Sequence, residues 1–169
     1  MALFLLFGIL LAASLVCLLP RMTERSLRWV GLIVSIVTLG SISWFVAPVL
    51  LGWVPGWQSS WWEVNRFSSL MGFLVAWLYA CAMLVSYHYL DVEIRKGILS
   101  LRQIRLYMLS VPLLVLSMMV AIFANNVGLL WVALEATTLS TTLLVSFYEK
   151  KSSMEAAWKY IMLCSTGIA

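Results

Sequence analysis

Glu135 is an acid set in the middle of an apolar run, between Val132-Ala133-Leu134 and Ala136. It stands eight residues past Val127, where that run begins, roughly 12 Å along a helix rising about 1.5 Å per residue. In a bilayer this is close to the midplane. An ionised carboxyl there costs roughly 2.5–3.5 kcal/mol on insertion scales. The flanking Leu, Val and Trp residues can offset that cost, but they give no reason to keep the acid. An acid at that depth is a site for proton or cation chemistry by default.

Its helical neighbours fit such a use. Thr138 lies three residues on and Thr142 seven residues on, so both share its face. Thr137, Ser140 and Thr141 add hydroxyls nearby. Such a stripe can line a hydrated channel. Against this, Ser and Thr hydroxyls in apolar helices commonly bond back to their own helix or hold helices together.

Lys159 is the second candidate for proton translocation. Ser152-Ser153-Met154-Glu155 has capping-box form, with Ser152 as cap and Glu155 reaching back. A helix starting near Ser153 leaves Lys159 only about 9 Å in. From there it can relay a proton, snorkel to the interface, or pair with Glu155 at i, i+4. His88 is a further channel-lining candidate beside Asp91 and Glu93, and an interfacial role competes with that one. Glu63 and Arg66 belong to a connection between apolar runs, where solvation is expected.

No nucleophile–base pair, phosphate loop or metal motif is present, so catalytic chemistry on a substrate is not indicated. Cys17, Cys81 and Cys164 are far apart in sequence and each is surrounded by apolar residues. They form no metal or iron–sulfur spacing, and buried thiols are the simpler reading. No cofactor is expected on this chain.

The elements that must hold Glu135 follow from composition. Hydrophobic residues make up 63% of the 169 and charged ones only 11%. A soluble domain uses about 25% charged residues to cover itself, so most of this surface must meet lipid or other helices. Apolar runs long enough to span a bilayer extend over about 2–19, 29–53, 69–90, 106–124 and 127–147. A sixth helix starts at about 153 and is still running at 169. In lipid these runs must be helical, because each backbone group needs a partner inside its own segment. The expected fold is all-α, a polytopic transmembrane helix bundle forming a single domain.

Charge placement gives the orientation. Arg21, Arg25 and Arg28 follow the first run. Arg95, Lys96, Arg102 and Arg105 follow the third. Lys150 and Lys151 follow the fifth. The other side has only Arg66. Basic residues stay on the cytoplasmic side, so loops 21–28, 91–105 and 148–155 are cytoplasmic and the N-terminus is outside. The first run has its positive charge after it and not before, unlike a signal peptide, so a retained helix is expected. Asp91 to Arg105 has the pattern of an amphipathic cytoplasmic loop able to touch a partner subunit. Pro48 and Pro112 fall inside helices and can bend them. The Trp-rich segment Trp53 to Ser68 suits the outer interface. No basic cluster resembles a nucleic-acid surface.

Two stretches carry a resemblance. Asn125-Asn126-Val127-Gly128-Leu129-Leu130-Trp131-Val132-Ala133-Leu134-Glu135-Ala136-Thr137-Thr138-Leu139-Ser140 and Lys151-Ser152-Ser153-Met154-Glu155-Ala156-Ala157-Trp158-Lys159-Tyr160 resemble the antiporter-like membrane subunits of complex I and membrane-bound hydrogenases. The pattern is nearest to hydrogenase-4 component F of the formate-hydrogenlyase type. The likeness is specific over about 45 residues, and over the first 120 it rests on helix count. It implies about fourteen helices built from two inverted five-helix repeats, of which this chain would be an N-terminal fragment. It further implies that Glu135 is the fifth-helix glutamate that pairs with a lysine on a broken seventh helix. Lys159 then matches the lysine of the A-A-W-K-Y element. Where the family usually has an aspartate before the third helix, Val64-Asn65-Arg66-Phe67-Ser68 places Asn65.

The implied function is a proton-translocating membrane-arm subunit of a hydrogenase-4-like or NADH-quinone-oxidoreductase-like complex, in a bacterial or archaeal inner membrane. Its partners would be other membrane and peripheral subunits, the bilayer, and protons or sodium. Redox chemistry would lie on those partners. The alternatives are a cation/proton antiporter or inorganic-carbon-uptake subunit of the same superfamily, a non-transporting structural membrane subunit, or a truncated product.

Overall fold

The computed structural model of this chain describes residues 2–16, 23–97, 99–148 and 151–168. Cys17, Arg21, Lys150 and the end of the first expected helix lie outside them. Among the described residues six helices follow one another: α1 (Ala2–Val16), α2 (Glu24–Leu50), α3 (Arg66–Arg95), α4 (Leu101–Phe123), α5 (Val127–Val145) and α6 (Lys151–Ile168). A short 3-10 turn, Ser146–Tyr148, closes α5. Among the described residues, Glu24–Leu50, Arg66–Arg95, Leu101–Phe123 and Val127–Tyr148 are long and apolar enough to cross a bilayer. The protein is an all-α, multi-pass membrane helix bundle.

Caps fix where the helices begin. Thr23 accepts from the Ser26 N–H to start α2. Reciprocal capping boxes start α3 at Asn65 with Ser68, and α4 at Ser100 with Gln103. These caps make α3 and α4 longer than their apolar runs. The expected cytoplasmic loop 91–105 is therefore mostly helix, with only the short link after Arg95 breaking it. Gly97, at φ +68°, supplies the left-handed turn there. The hydrophobic run marks the lipid-facing length, and the hydrogen-bonded helix continues past it into the interface.

α4 packs on α1, α2, α3 and α5, while α6 rests on α5 and the 3-10 turn. Small residues allow the close approach. On α3 the buried residues Ser69, Gly72, Ala76, Tyr79, Met83, Ser86 and Leu90 recur every three or four positions, as in a left-handed helix pair. On α2 the same spacing places Arg28, Gly31, Ser35, Thr38, Ile42 and Val46 inside. A β-carbon on Gly31 would meet Met83 Cε at 2.5 Å, so the glycine gives the ends of the Met83 and Met108 side chains room between α2 and its neighbours. One buried hydroxyl crosses between helices, Ser86 of α3 meeting the Tyr107 hydroxyl of α4 at 2.6 Å, and others stay within their own helix. Ser35, Thr38, Ser110 and Ser117 each donate to a carbonyl three or four residues back in their own helix.

One end of the α2–α3 pair is locked by charge. Arg28, with its side chain only 8% exposed, donates to Asp91 at 2.7 Å, and its guanidinium lies 5.2 Å from the Tyr87 ring centre. Arg95 donates to the other Asp91 oxygen at 2.9 Å. Removing one partner of such a pair strands the other, whereas replacing both by apolar residues is often tolerated. Asp91→Ala is expected to lower the melting temperature of the detergent-solubilised protein by about 5 °C. Arg28→Met combined with Asp91→Leu should recover most of that loss, as read by thermal shift.

At the other end the Trp-rich segment forms a small antiparallel hairpin, β1 (Trp57–Gln58) with β2 (Glu63–Val64). Trp62 bridges to Ala124, and the Phe7 ring of α1 packs on Trp62 at 5.2 Å. The Asn125 side chain donates to the Ser59 carbonyl at 2.6 Å, and its backbone N–H donates to that of Trp61 at 2.9 Å. The hairpin thus holds the α4–α5 connection.

Candidate intramembrane acid site

The position of Glu135 is set from the start of its helix. Asn126 caps α5, its side-chain oxygen accepting from the N–H groups of Gly128 and Leu129 at 2.9 and 3.3 Å. With Asn125 tied to the hairpin, α5 has a fixed entry point, and Glu135 lies about 12 Å along it. There the carboxylate is half-buried. It accepts one hydrogen bond, 2.8 Å from the Ser165 hydroxyl of α6.

The α5–α6 pair is antiparallel and carries two further cross-links. Trp131 Nε1 donates to the Ile168 carbonyl at 3.3 Å, and the Thr141 and Tyr160 hydroxyls meet at 3.3 Å. Glu135–Ser165 lies between these two. The hydrogen-bonded contacts thus form a ladder along one seam, with the acid in its middle.

The remaining hydroxyls of α5 turn back on their helix. Thr138 donates to the Glu135 carbonyl at 2.7 Å, and Thr142 to that of Thr138 at 2.8 Å. Thr137 and Ser140 do likewise. Thr142 is buried and Thr138 half-buried. Both satisfy their own backbone here and neither contacts the carboxylate. The groove between α4 and α5, of ≈ 340 Å³, is lined by apolar groups such as Leu116, Val120, Val132 and Leu139, with Ser117 and Ser140 the hydroxyl residues among its lining.

Lys159 is placed differently from Glu135. Its ammonium pairs with Glu155 at 2.5 Å, one helical turn away, and both side chains are about two-thirds exposed. In the register of the ladder Lys159 lies level with Thr141 and Thr142, about 10 Å along the axis from Glu135. α6 begins at Lys151, so Ser152 stands inside the helix and not at its cap, and Glu155 is taken up by Lys159. His88 is exposed and meets the edge of the Tyr87 ring at 5.6 Å. The structure brings neither Lys159 nor His88 to Glu135.

Sequence reasoning missed Ser165, because its register against α5 depends on the turn between them. It also missed a cluster at the end of α5. Tyr89 and Tyr148 both donate to Glu93, at 2.6 and 3.0 Å, and their hydroxyls touch each other. This cluster ties α3 to the turn that leads into α6. Among the described residues no three His, Cys, Asp or Glu side chains converge as metal ligands. Cys81 and Cys164 are free thiols.

No family model matches the chain, and no solved structure matches it significantly. A protein of Methylacidiphilum infernorum (isolate V4), named hydrogenase-4 component F homolog, is 35% identical over 132 residues. The match takes in 78% of this chain, which spans 28% of that protein. Over the matched stretch the chain belongs to the hydrogenase-4 component F-like family of membrane proteins.

Proposed function

We propose that the chain forms part of a proton-translocating membrane-arm subunit of a hydrogenase-4-like or NADH-quinone-oxidoreductase-like complex. The observation that carries this reading is the Glu135 carboxylate. It is half-buried at mid-helix and hydrogen-bonded to the neighbouring helix α6, although an uncharged residue would insert more favourably. Glu135 alternates between charged and protonated states, and the difference in its interactions between those states biases the surrounding helices. Electron transfer takes place on partner subunits. The name of the relative, a component of a hydrogenase, supports a place beside other membrane and peripheral subunits.

The basic residues flanking α2, α3 and α6 support an orientation with residues 21–28, 91–105 and 148–155 on the cytoplasmic side and the N-terminus outside, in a bacterial or archaeal inner membrane. Thr138, Thr142 and His88 line the hydrated route when the bundle opens. Lys159 exchanges Glu155 for that route in one state of the cycle. Lys159→Gln therefore slows proton translocation about tenfold in inverted vesicles, whereas the exposed Glu155 pair alone contributes under about 0.5 kcal/mol to folding. Full translocation with Lys159→Gln would confine Lys159 to its surface pair.

The test is substrate-driven acidification of inverted vesicles that hold the full-length protein in its complex. Wild type acidifies them, and a Glu135 variant that assembles does not. Release of a preformed acid interior on addition of sodium or another cation, without electron transfer, would favour a cation/proton antiporter.

A further inference from the structure

Hydroxyls in apolar helices have an easy partner in the carbonyl one turn back. Thr137, Thr138, Ser140, Thr141 and Thr142 of α5 all use it, as does Thr166 of α6. Ser165 does not. Its hydroxyl crosses to α5 and donates to Glu135 Oε1 at 2.8 Å. The rungs on either side, Trp131 to Ile168 and Thr141 to Tyr160, hold the two helices in the register that makes this possible. Lys159 is occupied by Glu155 and lies at another level.

We infer that Ser165 is the positioning residue of Glu135: it fixes the carboxylate rotamer at the α5–α6 seam. This inference rests on the reading of Glu135 as the proton-carrying acid. The chemistry is a simple protonation. The carboxylate takes a proton on one oxygen and becomes a neutral acid, and loss of that proton restores the anion. A donated O–H bond is stronger to the anion than to the acid, so the Ser165 contact tightens and loosens as the proton leaves and arrives. No residue of α6 other than Ser165 is hydrogen-bonded to this carboxylate among the described residues.

The experiment uses the full-length protein in its complex, with Ser165→Ala, Ser165→Thr and Glu135→Gln. Two quantities are read: substrate-driven proton translocation in inverted vesicles, and the infrared carboxylate band assigned to Glu135 by its loss in Glu135→Gln. In Ser165→Ala the band is displaced and translocation falls about tenfold, as expected for one hydrogen bond to a charged group. Ser165→Thr keeps the hydroxyl and restores both. An unmoved band with unchanged translocation in Ser165→Ala, while Glu135→Gln is inactive, overturns the role of Ser165 alone. Normal translocation in Glu135→Gln overturns the reading on which it rests. A Ser165→Ala complex that assembles in low yield but, per assembled complex, keeps an unmoved band and normal translocation makes Ser165 a packing residue and also overturns the proposal.

Discussion

Glu135→Gln in the full-length protein is expected to abolish coupled proton translocation, by about a hundredfold or more, while the complex still assembles. Glutamine has nearly the volume of glutamate, and its amide oxygen still accepts from Ser165. The α5–α6 seam therefore keeps its hydrogen bond and its packing. What disappears is the ionisable proton, and with it any change of charge at mid-membrane. Folding is not expected to suffer, because removing a costly intramembrane charge relieves an insertion penalty of roughly 2.5–3.5 kcal/mol. Glu135→Asp retains the charge but shortens the reach to Ser165, so it should keep part of the activity. The measurements are vesicle acidification and the yield of purified complex. Normal yield with lost acidification separates a proton carrier from a residue that merely joins helices. A purely architectural acid would show the opposite pattern.

Phe123→Ala is expected to give the largest loss of stability from a single side chain. Phe123 is fully buried at the end of α4. A β-carbon on Gly72 would stand 2.9 Å from its ring, so glycine is what allows the ring to seat against α3. The next residues, Ala124 and Asn125, are those held by the hairpin. Truncation leaves a cavity between α3 and α4 and loosens the entry to α5. Phe→Ala in packed cores costs about 3–5 kcal/mol. About 3 kcal/mol is expected here, because lipid tails take up part of the lost contact and helix association in lipid relies on packing more than on exclusion of water. Phe123→Leu should cost about 1 kcal/mol. Thermal or denaturant unfolding in detergent measures both. A loss below about 1 kcal/mol for Phe123→Ala would show that the α3–α4 contact is not what supports α5.

The membrane bundle was legible because hydrocarbon removes the competitors of the helix: with no water to bond, long apolar runs have one backbone solution. Glu135 was legible for the same reason, since a single acid stands out against Leu, Val and Trp. The Trp57–Val64 hairpin was not. Its pairing is only two residues per strand and has no alternating pattern to mark it. The extra turns of α3 and α4 were hidden because their residues, such as Arg95 and Arg102, are polar and the helix signal there comes from caps. Arg28 and Asp91 are 63 positions apart, and nothing in local spacing joins them. Ser165 is a small hydroxyl residue like many others in the chain. It gains a role only through the antiparallel register of α5 and α6, which is a tertiary property. The roles anticipated for the α5 hydroxyls divide on the same ground. A helix face shows which residues share a side, and the local carbonyl decides where each hydroxyl proton goes.

Infrared difference spectroscopy of the full-length complex, recorded as substrate turnover begins, reads the acid itself. If Glu135 carries protons, a carboxylate band disappears and a protonated carboxyl band appears during turnover, and both are absent in Glu135→Gln. A wild-type spectrum in which Glu135 keeps one protonation state throughout turnover, while protons are still translocated, would contradict the account.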